Sequence, residues 1–238
     1  MRIVTNAITL IGRSAIEFVE FIGGLGILLG KSSHSTHQLI ARGRARRMAW
    51  AGVWAQMVRV GVRSIPIVSL VVGCIGIILA LQITPILAAY SAEEQIADVI
   101  AVAIFRELGP LVGAIVLTGV AGASIAAEIG TMVVSEEIEA LEAHAIDPVR
   151  FLVMPRVLAS AVMTVCLAVI ADLVGLLGGM FASWLAIGFD PMRYLDASFE
   201  AILLRDFLTG LFKAGVFGML IALLASYLGL NVQNGAEG

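Results

Sequence analysis

Charge is scarce in this sequence. Asp, Glu, Lys and Arg make up 14% of its 238 residues, against about 25% in a soluble globular domain. Cysteine is scarcer, with only Cys74 and Cys166. Both stand inside apolar runs and at no zinc-ligand spacing, so they read as small buried hydrophobes and not as metal ligands. No GxxxxGK[ST] loop is present, which excludes hydrolysis of ATP by this chain through such a loop. HExxH and GxSxG are missing as well, so neither a zinc-peptidase helix nor a nucleophile elbow is available. Short segments of alternating polar and apolar residues are lacking, which argues against a membrane β-barrel. The opening MRIVTNAITLIGR has no clean apolar core followed by a small-residue cleavage site, so it is not a cleavable signal peptide.

What is abundant is apolar length. Hydrophobic residues make up 60% of the chain and mean hydropathy is +1.00. Runs this long predict an all-α polytopic membrane protein forming a single domain over 1–238, with spans at 64–92, 100–127, 157–189 and 207–230. Ile8, Ile11, Ala15, Phe18, Ile22 and Leu25 recur at helical spacing in 3–30, which predicts an amphipathic helix in the membrane interface or packed on neighbouring spans. Lys31 to His37 reads as a polar loop, and His34 with His37 lacks the neighbouring ligands a metal needs. Nine of the 15 Lys and Arg residues precede Ser64. Arg42, Arg44, Arg46, Arg47, Arg59 and Arg63 therefore suggest a cytoplasmic anchor to anionic lipid and not a nucleic-acid surface. The first external loop, Tyr90 to Asp98, holds Glu93, Glu94 and Asp98 and no cation, so the N-terminus is expected inside.

Within the spans a few residues stand out. Gly73 and Gly76, and then Gly109, Gly113, Gly119 and Gly122, predict close helix packing. Gly175 or Gly178-Gly179 offers a place for the long third run to break. Asp172 is the only charge between Val157 and Phe189 and must face the bundle. Arg106 and Glu107 are adjacent, so they point about 100° apart on a helix and do not simply pair. Lys213 can snorkel or meet a carboxylate. Between the second and third spans, 135–147 forms an acidic amphipathic helix. Val134, Ile138, Leu141 and Ala145 share one face, Glu136, Glu139 and Glu142 another, with Ser135 as N-cap, Glu137 in the first turn and Asp147-Pro148 as the stop. By composition this is any solvated surface helix.

The run RELGPLVGAIVLTGVAGASIAAEIGTMVVSEEIEALEAHAIDPVRFLVMPRVLA resembles the MlaE-type permeases of ABC lipid transporters, which work with MCE proteins. The similarity extends from Gln56 to about Asn234. RELGP, AEIG, the Glu-Ala-Leu helix, DP and PRVLA occur in family order and spacing. Two positions depart from the pattern. The family usually has Gly-Arg-Ala-Gly where this chain has Gly119-Val120-Ala121-Gly122, and Gln where it has Glu137.

The resemblance implies that the acidic helix is the coupling helix, with Glu136, Glu137, Ile138, Glu139, Leu141, Glu142, Asp147 and Pro148 facing the ATPase. It implies a homodimer in the bacterial inner membrane, served by ABC ATPase subunits that hold ATP and Mg and by an MCE-domain substrate-binding protein. No catalytic residue, cofactor or metal is expected in this chain itself. Leu79, Gln82, Arg106, Glu107 and Leu108 are expected to border a lipid path at the dimer centre, with phospholipid the default cargo. The family runs past a Gly-Ala-x-Gly motif, like Gly235 to Gly238, into a fifth span, so this chain is expected to be a truncated form. Two other functions compete: a proton-coupled secondary transporter using Asp172 or Glu107, which lacks the inverted repeat common in such folds, and an intramembrane enzyme, for which no nucleophile–base set is visible.

Overall fold

Long apolar runs in lipid must satisfy every backbone N–H and C=O internally, which favours helices throughout. The computed structural model describes residues 2–41 and 46–232, and there every regular element is helical. Arg42, Arg44 and the Gly235–Gly238 tail lie outside the described residues, as do the side chains of His34, His37, Arg46 and Arg47. Four helices are long and apolar enough to cross a membrane: Gly52–Ala89, Glu93–Val134, Val149–Ile187 and Leu204–Leu230. The protein is an all-α polytopic membrane protein. Large apolar side chains such as Leu70, Leu185 and Phe212, about 70% exposed, have hydrocarbon as their natural surroundings.

Helix α1 (Arg2–Ala41) is longer than its apolar pattern suggests. It continues through Lys31–His37, so no loop interrupts it there. Phe21 meets the Tyr227 ring edge-on at 5.3 Å, and Gly24 leaves room for that ring. Ile16, Phe18, Val19 and Ile22 remain exposed. Packing on a neighbouring span and an outward apolar face therefore coexist.

Helix α2 (Arg46–Ala89) begins well before Ser64, which places Pro66 in the helix interior and not in a first turn. It also continues past Pro85. Ser64 and Thr84 turn their hydroxyls back onto the carbonyls of Val60 and Ala80 at 2.7 and 2.6 Å, the usual way to hide a hydroxyl in an apolar helix.

The second span is a composite of α3 (Ile96–Ala103), α4 (Gly109–Leu117) and α5 (Ala123–Val134), joined by wide π-turns at Ile104–Leu108 and Thr118–Gly122. A third π-turn, Val149–Val153, leads into α7 (Met154–Ile187). That helix does not break at its glycines. A Cβ at Gly76 would run into the Gly175 carbonyl, and one at Gly178 into the Gly73 carbonyl, so α2 and α7 touch backbone to backbone. Gly188, at φ 66°, ends α7 in the left-handed conformation glycine tolerates.

Asp190 caps α8 (Pro191–Ala201), its carboxylate accepting from the Arg193 N–H. Tyr194 of α8 is fully buried against Ile96, Ile100 and Leu176, and burial pushes its phenol above the ordinary range. Helix α9 (Leu204–Leu230) completes the bundle. Three apolar clusters stack along it: one beneath α8, one around Val68, Leu117 and Leu167, and one around Ile125, Ile129 and Val157 near α6 (Glu137–Ala143).

Candidate functional site

Pro110 has no N–H, so the helix step before it cannot close normally, and the backbone widens into the first π-turn. The freed Arg106 carbonyl accepts from Lys213 Nζ at 3.2 Å, and the same ammonium donates to Glu107 Oε1 at 2.6 Å. Arg106 lies 3.8 Å from Glu107 and 3.8 Å from Asp206. The turn thus gathers Arg106, Glu107, Asp206 and Lys213 into one cluster. Lys213 meets a carboxylate, and the adjacent Arg106–Glu107 pair comes within ion-pair reach because the turn is wide. Lys213, joined to Arg106 through a carbonyl that the missing proline N–H leaves free, has no signal in the sequence beyond its lone charge.

One helical turn farther along both helices, Leu111 and Phe217 begin an apolar groove of about 460 Å³. Ile115, Thr118, Ala126 and Leu224 continue it between α4–α5 and α9. A charged cluster therefore stands at one end of an apolar trough. Leu79, Gln82 and Leu108 do not line this groove. Leu79 packs half-buried on the cluster beneath α8, Gln82 is exposed, and Leu108 is half-buried.

The four glycines of the second span have different surroundings. Gly109 faces α7, where a Cβ would strike the Asp172 carboxyl, and Gly122 lies against Ile221. Gly113 and Gly119 have open space where a side chain would stand. Asp172 is completely buried, and neither carboxyl oxygen has a hydrogen-bond partner.

At the other end of the span, Glu128 is held by two guanidiniums. Arg59 Nη1 donates to Oε2 at 2.7 Å and Arg156 Nη2 approaches Oε1 at 3.2 Å. Arg156 is only 4% exposed and also donates to the Leu152 carbonyl. This clamp ties α2, α5 and α7 together. Nothing in the spacing of Arg59, Glu128 and Arg156 announces it, because the three residues come from different helices.

Beyond the clamp lies the acidic helix. Ser135 does not cap it. Its hydroxyl turns back onto the Thr131 carbonyl at 2.9 Å and ends α5. Glu136 precedes α6 instead, at φ 59°, and Ala145 follows it at φ 57°. Two left-handed residues thus bracket α6 and swing it away from α5, at a cost of about 1–2 kcal/mol each. Ile138 and Leu141 do not act as one stripe. Ile138 packs inward on the cluster of Ile125, Ile129 and Val153. Leu141 lines an outward groove of about 410 Å³ with Met132, Glu137, His144, Ile146 and Phe151. Two contacts hold this end: the His144 Nδ1–H donates to the Ala140 carbonyl at 2.7 Å, and Asp147 Oδ1 accepts from the Val149 N–H at 3.0 Å. The latter fixes Pro148 and the third π-turn. Glu136, Glu139, Glu142 and Asp147 are exposed. Phe151, 55% exposed beside Leu141, is hidden in the sequence because it belongs to the next span's apolar run.

Residues 53–238 match the family described as Permease MlaE. A probable ABC transporter permease protein of Rickettsia typhi is 34% identical over 235 residues, covering 98% of this chain and 87% of the relative. The intermembrane phospholipid transport system permease protein MlaE of Haemophilus influenzae is 30% identical over 241 residues, covering 99% of this chain and 88% of the relative. A probable ABC transporter permease protein of Synechocystis is 35% identical over 183 residues, with 77% and 71% covered.

Proposed function

Since the chain belongs to the MlaE permease family, we propose that it is the membrane subunit of an ABC transporter that moves phospholipid between the bacterial inner membrane and an MCE-domain protein. The observation that carries this reading is the Arg106–Glu107–Asp206–Lys213 cluster one helical turn from the apolar groove of α4, α5 and α9. A phospholipid has the matching shape, with a charged headgroup at one end and acyl chains behind it. An open groove leaves one side of the chains exposed, so a second copy closes the path, with Leu79, Gln82 and Leu108 among the walls that the homodimer completes. The chain contributes no catalysis. ATP and Mg sit on partner ATPase subunits, which rest against the groove of Leu141 and Phe151. Ile138 anchors α6 to the permease core, and half-buried Leu141 is the residue offered outward, its remaining surface worth less than the roughly 1.5–3 kcal/mol of burying a fully exposed leucine. Glu139 and Glu142 orient the partner more than they hold it. The N-terminus is cytoplasmic in this arrangement.

A photoreactive group attached through cysteines placed at Leu111, Phe217 or Leu185, activated in the presence of labelled phospholipid, tests the path in the assembled transporter. Labelling there that responds to ATP, with little at outward Leu185, is the expected result; equal labelling at all positions overturns the path. Transport that stops on ATP depletion and ignores an uncoupler separates this function from a proton-driven one through Asp172 or Glu107.

A further inference from the structure

The clamp on Glu128 leaves positive charge over. Arg59 and Arg156 engage both oxygens of the Glu128 carboxylate, and Arg63 borders the same small cavity as Arg59 and Glu128. Arg63 forms no ion pair among the described residues. Arg59 and Arg63 lie one helical turn apart on α2 and border a small cavity of about 90 Å³ between α2 and the second π-turn and α5 of the second span. Gln56, Val120, Ser124 and Glu128 complete its lining. The Gln56 carboxamide oxygen is buried there without a hydrogen-bond partner. Surplus guanidinium charge bordering a partly polar cavity, at the end of apolar spans, is a place where an anion lowers the free energy, and a turned Gln56 amide would face it with N–H donors.

We propose that this cavity is a phosphate-group site, lined by other residues than the groove of the proposed lipid path and at the opposite end of the second span from the Arg106–Glu107 cluster. Arg63 and the free N–H groups of Arg59 donate to the phosphate oxygens. Gln56, with its amide turned, and the Ser124 hydroxyl supply the neutral donors. The cavity has room for a phosphate group and none for acyl chains, which would run outward along α2, where Val62 and Leu70 are exposed. A membrane supplies this chemistry as the headgroup of an anionic lipid, and the aqueous phase supplies it as free phosphate. Basic pockets between membrane helices commonly recognise such headgroups.

The full chain, delipidated in detergent, is titrated with phosphatidylglycerol, with zwitterionic phosphatidylcholine and with inorganic phosphate, and bound species are counted by native mass spectrometry. Arg63→Gln removes an exposed, unpaired cation and leaves the Glu128 clamp intact; Val120→Phe fills the cavity without touching a charge. Retention of one phosphatidylglycerol per protomer, weakened about tenfold in Arg63→Gln as expected for a lost charge-assisted contact and at least as much in Val120→Phe, where the ring occupies the cavity, supports the site as a lipid site. Inorganic phosphate binding with the same loss in both variants supports it as a site for free phosphate. Phosphatidylglycerol and phosphate binding that is unchanged in both variants overturns it, as does retention of phosphatidylcholine equal to that of phosphatidylglycerol in every form.

Discussion

The two ends of the second span carry charge in opposite ways. Near α8, Arg106, Glu107 and Lys213 form ion pairs in which every side chain is more than a third exposed. Near α6, Glu128 is gripped by Arg59 and by Arg156, whose side chain is 5% exposed. Exposed pairs contribute little to stability and rearrange readily. A buried cation tied to a carboxylate and a backbone carbonyl has no alternative partner, so its loss leaves an uncompensated charge. One end can therefore exchange partners with a passing headgroup. The other joins three helices and presents α6 from a fixed base.

The sharpest way to break this contrast is Glu128→Ala, which leaves Arg156 buried and unpaired. It should cost on the order of 3 kcal/mol, read as a lower midpoint of denaturation in mixed micelles, with transport lost in consequence. A midpoint equal to that of the unmodified protein would show that the clamp does not hold the helices together. Leu141→Arg comes next. It should leave the denaturation midpoint in place and abolish co-purification of the ATPase, because its side chain faces the outward groove while Ile138 holds α6 to the core. Intact co-purification and ATP-driven transport would remove α6 from the coupling surface.

Glu107→Ala then separates the two clusters directly. The midpoint should stay unchanged, since the pair with Lys213 is exposed, while lipid transfer in reconstituted vesicles slows. A large drop in stability would make this cluster another structural clamp. The smallest effect is expected from Glu136→Gly. Glycine tolerates the left-handed backbone before α6, so the variant should gain about 0.5–1 kcal/mol at most. Destabilisation would mean that the Glu136 side chain contributes more than its backbone strain costs.

The spans and the acidic helix were legible because each follows a simple period in apolar or acidic residues. The packing glycines were only half legible. Gly73 and Gly76 lie on an uninterrupted helix, and their regular spacing meets α7 as expected. Gly109, Gly113, Gly119 and Gly122 suggest the same period, although the wide turn at Thr118–Gly122 interrupts it. Gly113 before that turn and Gly119 within it face open space, while Gly109 meets Asp172 and Gly122 meets Ile221, so spacing alone does not say which glycine packs. The charge partnerships were illegible for another reason. Arg59, Glu128 and Arg156 are brought together by the tertiary arrangement of three helices, and no local spacing encodes that. The left-handed Glu136 is likewise decided by where α6 must lie and not by glutamate's own preference.

The wide turns at Ile104–Leu108, Thr118–Gly122 and Val149–Val153 also bear on how such a chain tolerates insertions and deletions. In an ordinary membrane helix, losing one residue turns every later side chain by about 100° and moves the lipid-facing surface into the bundle. A π-turn already holds one residue more than the regular helix around it. Deleting Val120 would let Thr118–Gly122 relax into an ordinary α-helix, with the mismatch confined to that turn and both flanking pieces keeping their faces. In the middle of α7, where Gly175 and Gly178 must meet Gly76 and Gly73, the same deletion would displace half of the α2–α7 seam. Sequence alignments of this family should therefore place their single-residue gaps at the wide turns, and engineered changes of length belong there too.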